Sequence, residues 1–310
     1  NIFPNIDVLQ YLDLVALATI CDLVPLSEIN RSFVKQGLKV INSDGVNNKG
    51  FQTLINQSKI KQQISEYHLG YILGPRINAG GRMGESLLGY SLLSSDNIHQ
   101  ALQLAQIIES HNQNRQNIQT KIVKSINIKE SDDKNINFFF DKKWHIGIVG
   151  IIAGRLMRQN NKPSFVMTSS NEFVVGSGRS LGEKNIGQLM MNAAEKGIII
   201  KGGGHAKACG FTLREDQIPD FRAYLYEETK DISIKNEKYF ESSIDLNVIN
   251  DNLLKDLELL SPFGQKNPEP IFKVENVKID ILQIFKNKNA KLRIFDDLNY
   301  ECEGMFFDII

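Results

Sequence analysis

Three consecutive glycines and a histidine, Gly202-Gly203-Gly204-His205, constrain the fold of this chain more than any other stretch. Backbone without Cβ atoms can adopt φ > 0, and a ligand can touch it directly. Consecutive N–H groups in such a run can form a concave nest for an anion, and a histidine can donate to a phosphate or stack on a base. An apolar run at residues 197–200 precedes the glycines, so we expect them to lie at the end of a buried strand. In isolation the same residues also fit a tight turn with a surface histidine.

The composition indicates a globular chain of several domains. With 310 residues, the chain is long enough for two or three hydrophobic cores. Hydrophobic residues make up 42% and charged residues 23%, which is typical of soluble proteins. The formal net charge of +0 does not indicate a globally basic nucleic-acid binder. Any contact with nucleic acid must therefore come from local arginines and loops.

The cysteines and the apolar runs favour a reducing, cytoplasmic location. Cys21, Cys209 and Cys302 are far apart and show no Cys-x-x-Cys spacing, so we expect neither a disulfide scaffold nor a zinc knuckle. The longest apolar run, residues 14–21, is far too short to span a membrane. We expect no signal peptide and no contact with a membrane.

Asp22 is a candidate metal ligand. It follows a helical pattern at residues 8–20, which Asn5 or Asp7 could cap, and it precedes a turn that Pro25 ends. A carboxylate in this position can ligate a divalent metal. A lone aspartate there is more commonly a cap or a turn residue.

A glycine-rich run at residues 74–84, Gly-Pro-Arg-Ile-Asn-Ala-Gly-Gly-Arg-Met-Gly, sets Arg76 and Arg82 among small residues, with Asn78 between them. Small neighbours leave guanidinium groups accessible. Arginine is also the side chain best suited to bidentate phosphate binding. The alternative is a glycine-rich connector with solvated arginines.

Residues 96–126 show apolar positions at helical spacing, which predicts one long helix capped by Ser95 or Asp96. The middle turns are polar and include Asn112 and Arg115. A helix that is apolar at both ends and polar between them suits a bridge between two domains. These two polar residues would then lie near the cleft that the bridge spans, or they are simply solvated.

Two more glycine-containing runs offer donors to an anion. Residues 144–156, Trp-His-Ile-Gly-Ile-Val-Gly-Ile-Ile-Ala-Gly-Arg-Leu, predict a glycine-rich turn and then a helix, whose N-terminus attracts anions. Arg155 lies near the end of this run. Residues 176–180, Gly-Ser-Gly-Arg-Ser, follow a predicted strand, although a β-turn explains them equally well. The donors of this second run are Ser177, Arg179 and Ser180.

The C-terminal part of the chain alternates short strands and tight turns, which predicts a small barrel. Four basic residues fall on one predicted hairpin and would suit a groove for single strands. A solvated hairpin is the alternative. The predicted strands are residues 272–274, 277–285, 292–295 and 300–307, and the basic residues are Lys286, Lys288, Lys291 and Arg293.

Together and in this order, these stretches resemble RecJ-type single-stranded-DNA-specific exonucleases of the DHH/DHHA1 phosphoesterase family. The Gly-Gly-Gly-His run is similar to the DHHA1 signature, which alanyl-tRNA synthetases share, whereas residues 74–84 resemble RecJ proteins specifically. Residues 144–156 and 176–180 resemble the same DHHA1 domain, with Gly154 where RecJ proteins carry Ser. Pro-Phe-Gly-Gln-Lys-Asn-Pro at residues 262–268 resembles the entry to the RecJ OB-like domain.

The resemblance implies a multidomain α/β architecture in four parts. Residues 1–95 would be the C-terminal part of a DHH α/β catalytic domain, and residues 96–128 a long bridging helix. Residues 129–230 would form the α/β DHHA1 substrate-binding domain, and residues 236–310 a small OB-like nucleic-acid-binding β-barrel. The Asp-His-His tripeptide is absent from the sequence. We therefore expect a fragment that lacks the N-terminal DHH motifs and is inactive alone.

The implied activity is 5′-to-3′ exonuclease hydrolysis of single-stranded DNA in recombination and repair, with two Mn²⁺ or Mg²⁺ ions. Asp22 would hold a metal, and Arg76 and Arg82 would lie near the scissile phosphate. The resemblance implies a monomer whose partners are single-stranded DNA, a single-strand-binding protein and a helicase. The implied strand-binding residues are Arg82, Asn78, Arg155, Ser177, Arg179, Ser180, Gly203, Gly204 and His205.

Two alternatives stay open. One is a DHH-family phosphodiesterase that acts on short oligonucleotides or cyclic dinucleotides, which would not need the chain beyond the DHHA1 signature. The other is a non-catalytic single-strand-binding paralogue that uses the DHHA1 and OB-like surfaces.

Overall fold

The chain forms two compact units. The structure is a computed structural model. The first unit comprises Asn1–Gly45, Gln62–Gly70 and Glu237–Ile310, and the second comprises Val46–Lys61 and Tyr71–Asn236. The four-part division predicted from the sequence stays a prediction. The structure describes residues 7–43, 45–126, 135–182, 184–232, 239–285 and 289–307.

The elements follow one another as an α/β chain. In chain order, the helices are α1 (Leu12–Cys21), α2 (Glu28–Ser43), α3 (Lys49–Gln57), α4 (Gly74–Ile77), α5 (Ala79–Arg82), α6 (Leu88–Leu93), α7 (Ile98–Ser125), α8 (Ile146–Asn160), α9 (Ile186–Glu195), α10 (Ile218–Thr229) and α11 (Asp251–Leu260). The strands are β1 (Asn137–Phe140), β2 (Ser164–Ser170), β3 (Phe173–Arg179), β4 (Lys201–His205), β5 (Ala208–Leu213), β6 (Ser242–Ser243), β7 (Phe272–Lys273), β8 (Lys278–Phe285), β9 (Asn289–Phe295) and β10 (Glu301–Phe306). None of the helices in the described part of the chain is both long and apolar enough to cross a membrane.

The first unit begins with two closely packed helices, α1 and α2. The Asp7 carboxylate caps a short 3₁₀ turn that leads into α1, so the predicted helix and one of its predicted caps are confirmed. At Gly37 on α2, a Cβ would lie 2.3 Å from the Leu12 carbonyl oxygen. Only a residue without a side chain permits this approach.

The C-terminal part of the first unit contains α11 and two small sheets. β6 and β7 pair in parallel, and β8, β9 and β10 form an antiparallel sheet in the order β10-β9-β8. The predicted strands are confirmed. The predicted barrel is not closed among the described residues, because β8 and β10 are the two edges of the second sheet.

The second unit is built on a five-stranded sheet in the order β1-β2-β3-β5-β4. β1 and β2 are parallel, and the other neighbouring strands are antiparallel. α9 and α10 cover one face, where their apolar residues join Phe165 and Phe211 in a buried core. α8 packs on the other face, with Ile152 against Val166. On this second face Gly210 of β5 is exposed.

The glycine run forms strand β4 itself, so the prediction that it ends a preceding buried strand is wrong. Residues 197–200 form a turn, because the N–H groups of Ile198 and Ile199 bond to the Ala193 carbonyl at the end of α9. β4 pairs with β5 over its whole length. Successive N–H groups of an extended strand point in opposite directions, so the predicted anion nest is wrong as well.

The long helix predicted over residues 96–126 is confirmed as α7, and its N-cap is Asn97 rather than Ser95 or Asp96. The Asn97 side chain accepts hydrogen bonds from the N–H groups of the first helical turn. Asn97 has the extended backbone that allows this contact, which is the usual geometry of an N-cap.

Candidate functional site

A cavity of about 380 Å³ opens in the second unit between α5, α8 and β3. Its lining brings together Arg82, Ser177 and Arg179, three of the predicted strand-binding residues from two distant stretches. Gly147 and Gly150 line its helical side. Guanidinium and hydroxyl donors around a glycine-lined cavity are suited to bind an anion.

Arg179 and Ser177 lie two residues apart on β3, so their side chains share one face of the sheet. The Arg179 Nη1 donates to the Ser177 Oγ and to the Gly178 carbonyl oxygen, both at 2.8 Å. The Ser177 hydroxyl donates to the Cys209 carbonyl oxygen at 3.1 Å. These bonds orient the guanidinium without neutralising it, because none of the acceptors carries a charge.

α8 leaves room for these side chains because the residue that faces them is a glycine. A Cβ at Gly150 would lie 3.2 Å from the Ser177 Oγ and 3.4 Å from the Arg179 Nη2. A Cβ at Gly154, one turn further along, would be 3.8 Å from the Arg179 Cγ, which is ordinary contact. Gly150 therefore shapes the cavity more directly than Gly154 does.

α8 begins earlier than predicted, because a histidine caps it. The His145 Nδ1 accepts from the Gly147 N–H at 3.1 Å, and the helix starts at Ile146, inside the run predicted as a turn. A Cβ on Gly147 would lie 2.0 Å from the Arg82 carbonyl oxygen, so this glycine lets the Arg82 backbone pack on the helix start. The Arg82 Nη1 donates to the Gly147 carbonyl oxygen at 3.3 Å. The start of α8 thus positions Arg82 beside the cavity.

Burial and mutual repulsion act on the arginines of this region. Burial lowers the pKa of the Arg82 guanidinium, and Arg179 lowers it further. Burial also lowers the pKa of Arg179, while the Cys209 thiol acts in the opposite direction. The pKa of Arg115 on α7 is lowered by burial, then by Arg82 and by Arg76. Arginine stays charged despite such shifts, so a bound anion would relieve the repulsion.

The polar middle of α7 holds the segment that contains α4 and α5, at whose end Arg82 lies. The Arg76 Nε lies 2.7 Å from the Glu109 Oε2, and both side chains are largely buried. The His111 Nε2 lies 2.9 Å from the Glu85 Oε1. Asn112 and Arg115 in the same turns are buried, so the interpretation that they are simply solvated is wrong, while their position near a cleft stays a prediction. Arg76 is paired with a carboxylate and does not line the cavity.

Beside the cavity, one face of the sheet is kept bare by glycines. Side chains alternate along a strand, so Ser177 and Arg179 on β3 share a face with Gly210 on β5. Gly203 and His205 on β4 lie on this face too, because Gly203 pairs with Gly210. Neighbouring strands are about 4.8 Å apart, so two strand spacings, roughly 10 Å, separate Arg179 from His205. The register therefore places both residues on the same open face.

A second cavity, of about 410 Å³, lies against the glycines of β4 and β5. Among the described residues, nothing lies within 4 Å of a Cβ built at Gly203, and the nearest atom to one at Gly210 is 3.9 Å away. Gly204 differs, since its φ is +150° and a Cβ would lie 2.3 Å from the Ala208 carbonyl oxygen. Gly204 is required by the fold, whereas the other two glycines leave a flat floor. Lys201 and Thr212 also line this cavity.

Five of the predicted strand-binding residues line neither cavity: Gly204, His205, Asn78, Arg155 and Ser180. Asn78 is exposed at the end of α4. Arg155 is half-buried on α8. The buried Ser180 Oγ accepts from the Gly182 N–H at 3.1 Å, a contact within a turn. Their roles in binding stay predictions.

Asp22 lies in the first unit, exposed at the end of α1. Burial raises the pKa of the neighbouring Cys21 thiol to about 11, and the Asp22 charge adds to the shift. No three His, Cys, Asp or Glu side chains are grouped to hold a metal ion in the part of the chain that the structure describes. Hard divalent cations need several oxygen ligands, so these residues do not fit a complete metal centre.

The predicted basic hairpin of the C-terminal sheet is less basic than expected. Lys291 pairs with Glu303 at 2.8 Å, and the Arg293 Nε lies 2.9 Å from the Glu301 Oε2. Each pair is diagonal across β9 and β10, because the residues directly opposite Lys291 and Arg293 are Met305 and Glu303. The other two basic residues, Lys286 and Lys288, lie outside the described residues.

Gly150 and Gly210 were not predicted as site residues from the sequence. Gly147, Gly150 and Gly154 recur every three or four residues, which is the spacing of one helix face. That spacing could have indicated a face reserved for close approach. No local signal identifies Gly210, because its place opposite Gly203 depends on strand pairing.

Two family models match the chain: the DHHA1 domain matches residues 132–231, and the RecJ OB domain matches residues 240–309. The single-stranded-DNA-specific exonuclease RecJ of Dickeya dadantii is 31% identical over 284 residues, which are 87% of this chain and 49% of that protein. RecJ of Bacillus subtilis is 31% identical over 309 residues, which are 95% of this chain and 39% of that protein. The chain thus spans about half the length of the curated relatives it matches, or less.

Solved RecJ structures share the fold. RecJ of Thermus thermophilus in complex with Mn²⁺ has a TM-score of 0.82 at 23% identity, covering 97% of this chain and 47% of that one. The same protein in complex with Mg²⁺ has a TM-score of 0.80 at 24% identity, covering 93% of this chain and 45% of that one. An exonuclease RecJ bound to manganese has a TM-score of 0.63 at 26% identity, covering 74% of this chain and 57% of that one. These matches confirm the predicted α/β fold with its DHHA1 and OB-like domains.

Proposed function

Because this chain belongs to the RecJ family, we propose that its arginine-lined cavity binds the phosphate backbone of single-stranded DNA. The observation that carries the proposal is the convergence of Arg82, Ser177 and Arg179 on one cavity. Guanidinium groups bind phosphate oxygens through charge-assisted hydrogen bonds. The acceptors of both arginines among the described residues are uncharged oxygens, so a phosphate would supply the missing negative charge.

The bare sheet face suits binding that does not depend on base sequence. The floor at Gly203 and Gly210 has no side chains that could discriminate base edges. Contacts to phosphate carry no sequence information either. His205, at the exposed end of β4, is placed to donate to a second phosphate or to stack on a base.

We further propose that the whole protein hydrolyses phosphodiester bonds of single-stranded DNA in the 5′-to-3′ direction, in recombination and repair. Its membership of a nuclease family supports hydrolysis. The resemblance alone supports the direction, the number of metal ions, the monomeric state and the cytoplasmic location. The same holds for a single-strand-binding protein and a helicase as partners. Solved RecJ structures in complex with Mn²⁺ or Mg²⁺ support the use of a divalent metal. Asp22 would contribute one metal ligand, while the described residues of the second unit would bind and orient the strand.

A non-catalytic single-strand-binding function is the second candidate. The arginine-lined cavity and the bare glycine floor suit such a function, because both would bind a strand without cleaving it. A phosphodiesterase for short oligonucleotides or cyclic dinucleotides is less favoured. The match to an OB domain at residues 240–309 suits a longer strand, which such a domain binds along a groove.

Asp22→Ala in the full-length protein distinguishes hydrolysis from binding alone. We expect cleavage of a labelled single-stranded oligonucleotide with Mn²⁺ or Mg²⁺ to fall by about two orders of magnitude or more, because a metal ligand is lost. Binding of the same oligonucleotide in EDTA should stay close to that of the unmodified protein. Asp256→Ala, an exposed aspartate on α11 in the same unit, is the control.

Normal turnover by Asp22→Ala would remove Asp22 from the metal site. A full-length protein that binds single strands but cleaves none of them with either ion would favour the non-catalytic alternative.

A further inference from the structure

Arg115 is a buried cation that does not line the cavity. It lies in the middle of α7, with 9% of its surface exposed. Its Nε and Nη2 donate to the Asn112 Oδ1 at 3.3 and 2.8 Å, and its Nη1 donates to the Gln119 Oε1 at 3.3 Å. Both acceptors are neutral amides on the same helix. Within the described ranges, the acceptors of this guanidinium are therefore uncharged.

The surroundings of Arg115 connect it to the end of α5, where Arg82 lies. The residue before Arg115 contacts the residue after Arg82, since the Asn114 Nδ2 lies 3.8 Å from the Met83 Sδ. Repulsion from Arg82 contributes to the lowered pKa of Arg115, after burial. The charge of Arg115 therefore raises the positive potential at Arg82.

A buried guanidinium without a carboxylate partner is unfavourable, and like-charged neighbours add to the cost. Packing alone does not require a cation at position 115. Ile108 and Ile122, seven residues before and after it on α7, are buried apolar side chains. Asn112 and Gln119 hold the guanidinium by three hydrogen bonds, so its charge is held in a buried position. An anion bound in the cavity beside Arg82 and Arg179 would offset this cost.

We propose that Arg115 is a positioning residue for the strand-binding cavity. Its fixed charge adds to the positive potential at Arg82 and raises the affinity of the cavity for a phosphate of single-stranded nucleic acid. Arg115 acts through Arg82 and does not touch the strand. This inference rests on the proposed function, because it requires that the cavity bind phosphate.

The test compares Arg115→Gln with Arg115→Lys in the full chain. Gln removes the charge but keeps a neutral donor for Asn112, whereas Lys keeps the charge and loses the planar two-point contact. We expect Arg115→Gln to bind a labelled oligothymidine about three- to tenfold more weakly at low salt, and Arg115→Lys to stay within about twofold of the unmodified chain. Arg222→Gln, on α10 against the opposite face of the sheet, is the matched control and should bind normally.

A purely structural role of Arg115 would give a different pattern. If only its hydrogen bonds mattered, Arg115→Lys would lose as much affinity and thermal stability as Arg115→Gln, and that result overturns the proposal. Unchanged affinity of Arg115→Gln overturns it as well.

Arg179→Ala in the same assay separates this inference from the proposed function. If Arg179→Ala binds weakly while Arg115→Gln binds normally, only the proposed role of Arg115 is refuted, and the cavity stays the proposed strand-binding site. Normal binding by Arg179→Ala refutes the cavity as the strand-binding site, and the role of Arg115 falls with it.

Discussion

Different physical reasons explain why particular positions near the site are occupied by glycine. Gly204 is required by its φ of +150°. Gly176 is required by packing, because a Cβ there would lie 2.2 Å from the Phe211 ring. At positions 203 and 210, neither the backbone φ nor the packing requires glycine. Glycine in the interior of a strand weakens the strand. The two paired glycines, Gly203 and Gly210, are therefore best explained by a ligand that approaches the backbone closely.

Gly204→Ala and Gly203→Ala should therefore behave differently. Gly204→Ala should lower the free energy of unfolding by about 1–3 kcal/mol, because alanine is strained at this φ and its Cβ meets the Ala208 backbone. Gly203→Ala should change it by no more than about 0.5 kcal/mol, yet weaken binding of single-stranded DNA. Urea unfolding followed by circular dichroism and fluorescence anisotropy measure the two effects. Equal destabilisation by both variants would show that Gly203 has a structural role.

The donors of the site could be predicted from the sequence, but their pairing could not. Arginines among small residues indicated phosphate binding, and Arg82 and Arg179 do meet at one cavity. Arg76 looked equivalent to Arg82 in the same run. Its partner Glu109 lies 33 residues further along the chain and reaches Arg76 only through the packing of α7.

At the scale of elements, tertiary pairing overrides local propensity in β4. Isoleucines favour strands and glycines do not, so the sequence predicted a strand over residues 197–200. The end of α9 instead binds the N–H groups of Ile198 and Ile199, and β5 pairs with the glycines. Three of the five residues of β4 are thus glycines, which have a low strand propensity.

α8 provides a test of how an element shapes the cavity. Gly150→Ala should keep or raise stability, since alanine is favoured over glycine in a helix by about 1 kcal/mol. Its Cβ would stand 3.2 Å from the Ser177 Oγ and 3.4 Å from the Arg179 Nη2, so the donors must shift and binding of single-stranded DNA should weaken. Gly154→Ala is the matched control, because its Cβ makes only ordinary contact with Arg179, at 3.8 Å. Equal affinities of the two variants would contradict a role of Gly150 in shaping the cavity.

At the scale of the whole molecule, the order of the motifs predicted the architecture better than any one motif. The DHHA1 and OB matches confirm that order. The cavity itself could not be predicted, because it depends on the register of β3, β5 and β4 and on the packing of α5 against α8. These contacts join residues far apart in the chain. The strands of the OB-like sheet were predictable from local alternation, whereas the barrel predicted with them is not closed among the described residues.

The most direct test of the central claim compares two affinities for single-stranded DNA, that of the unmodified full-length protein and that of its Arg179→Ala variant. Fluorescence anisotropy of a labelled oligothymidine over a salt series gives both the affinity and its salt dependence. We expect Arg179→Ala to lower the affinity about 10- to 100-fold, because a charge-assisted phosphate contact is lost. The slope of log affinity against log salt should fall by about 0.7–1, and Arg222→Ala should change neither value. Unchanged affinity and slope in a correctly folded Arg179→Ala variant would contradict the claim that this cavity holds the strand.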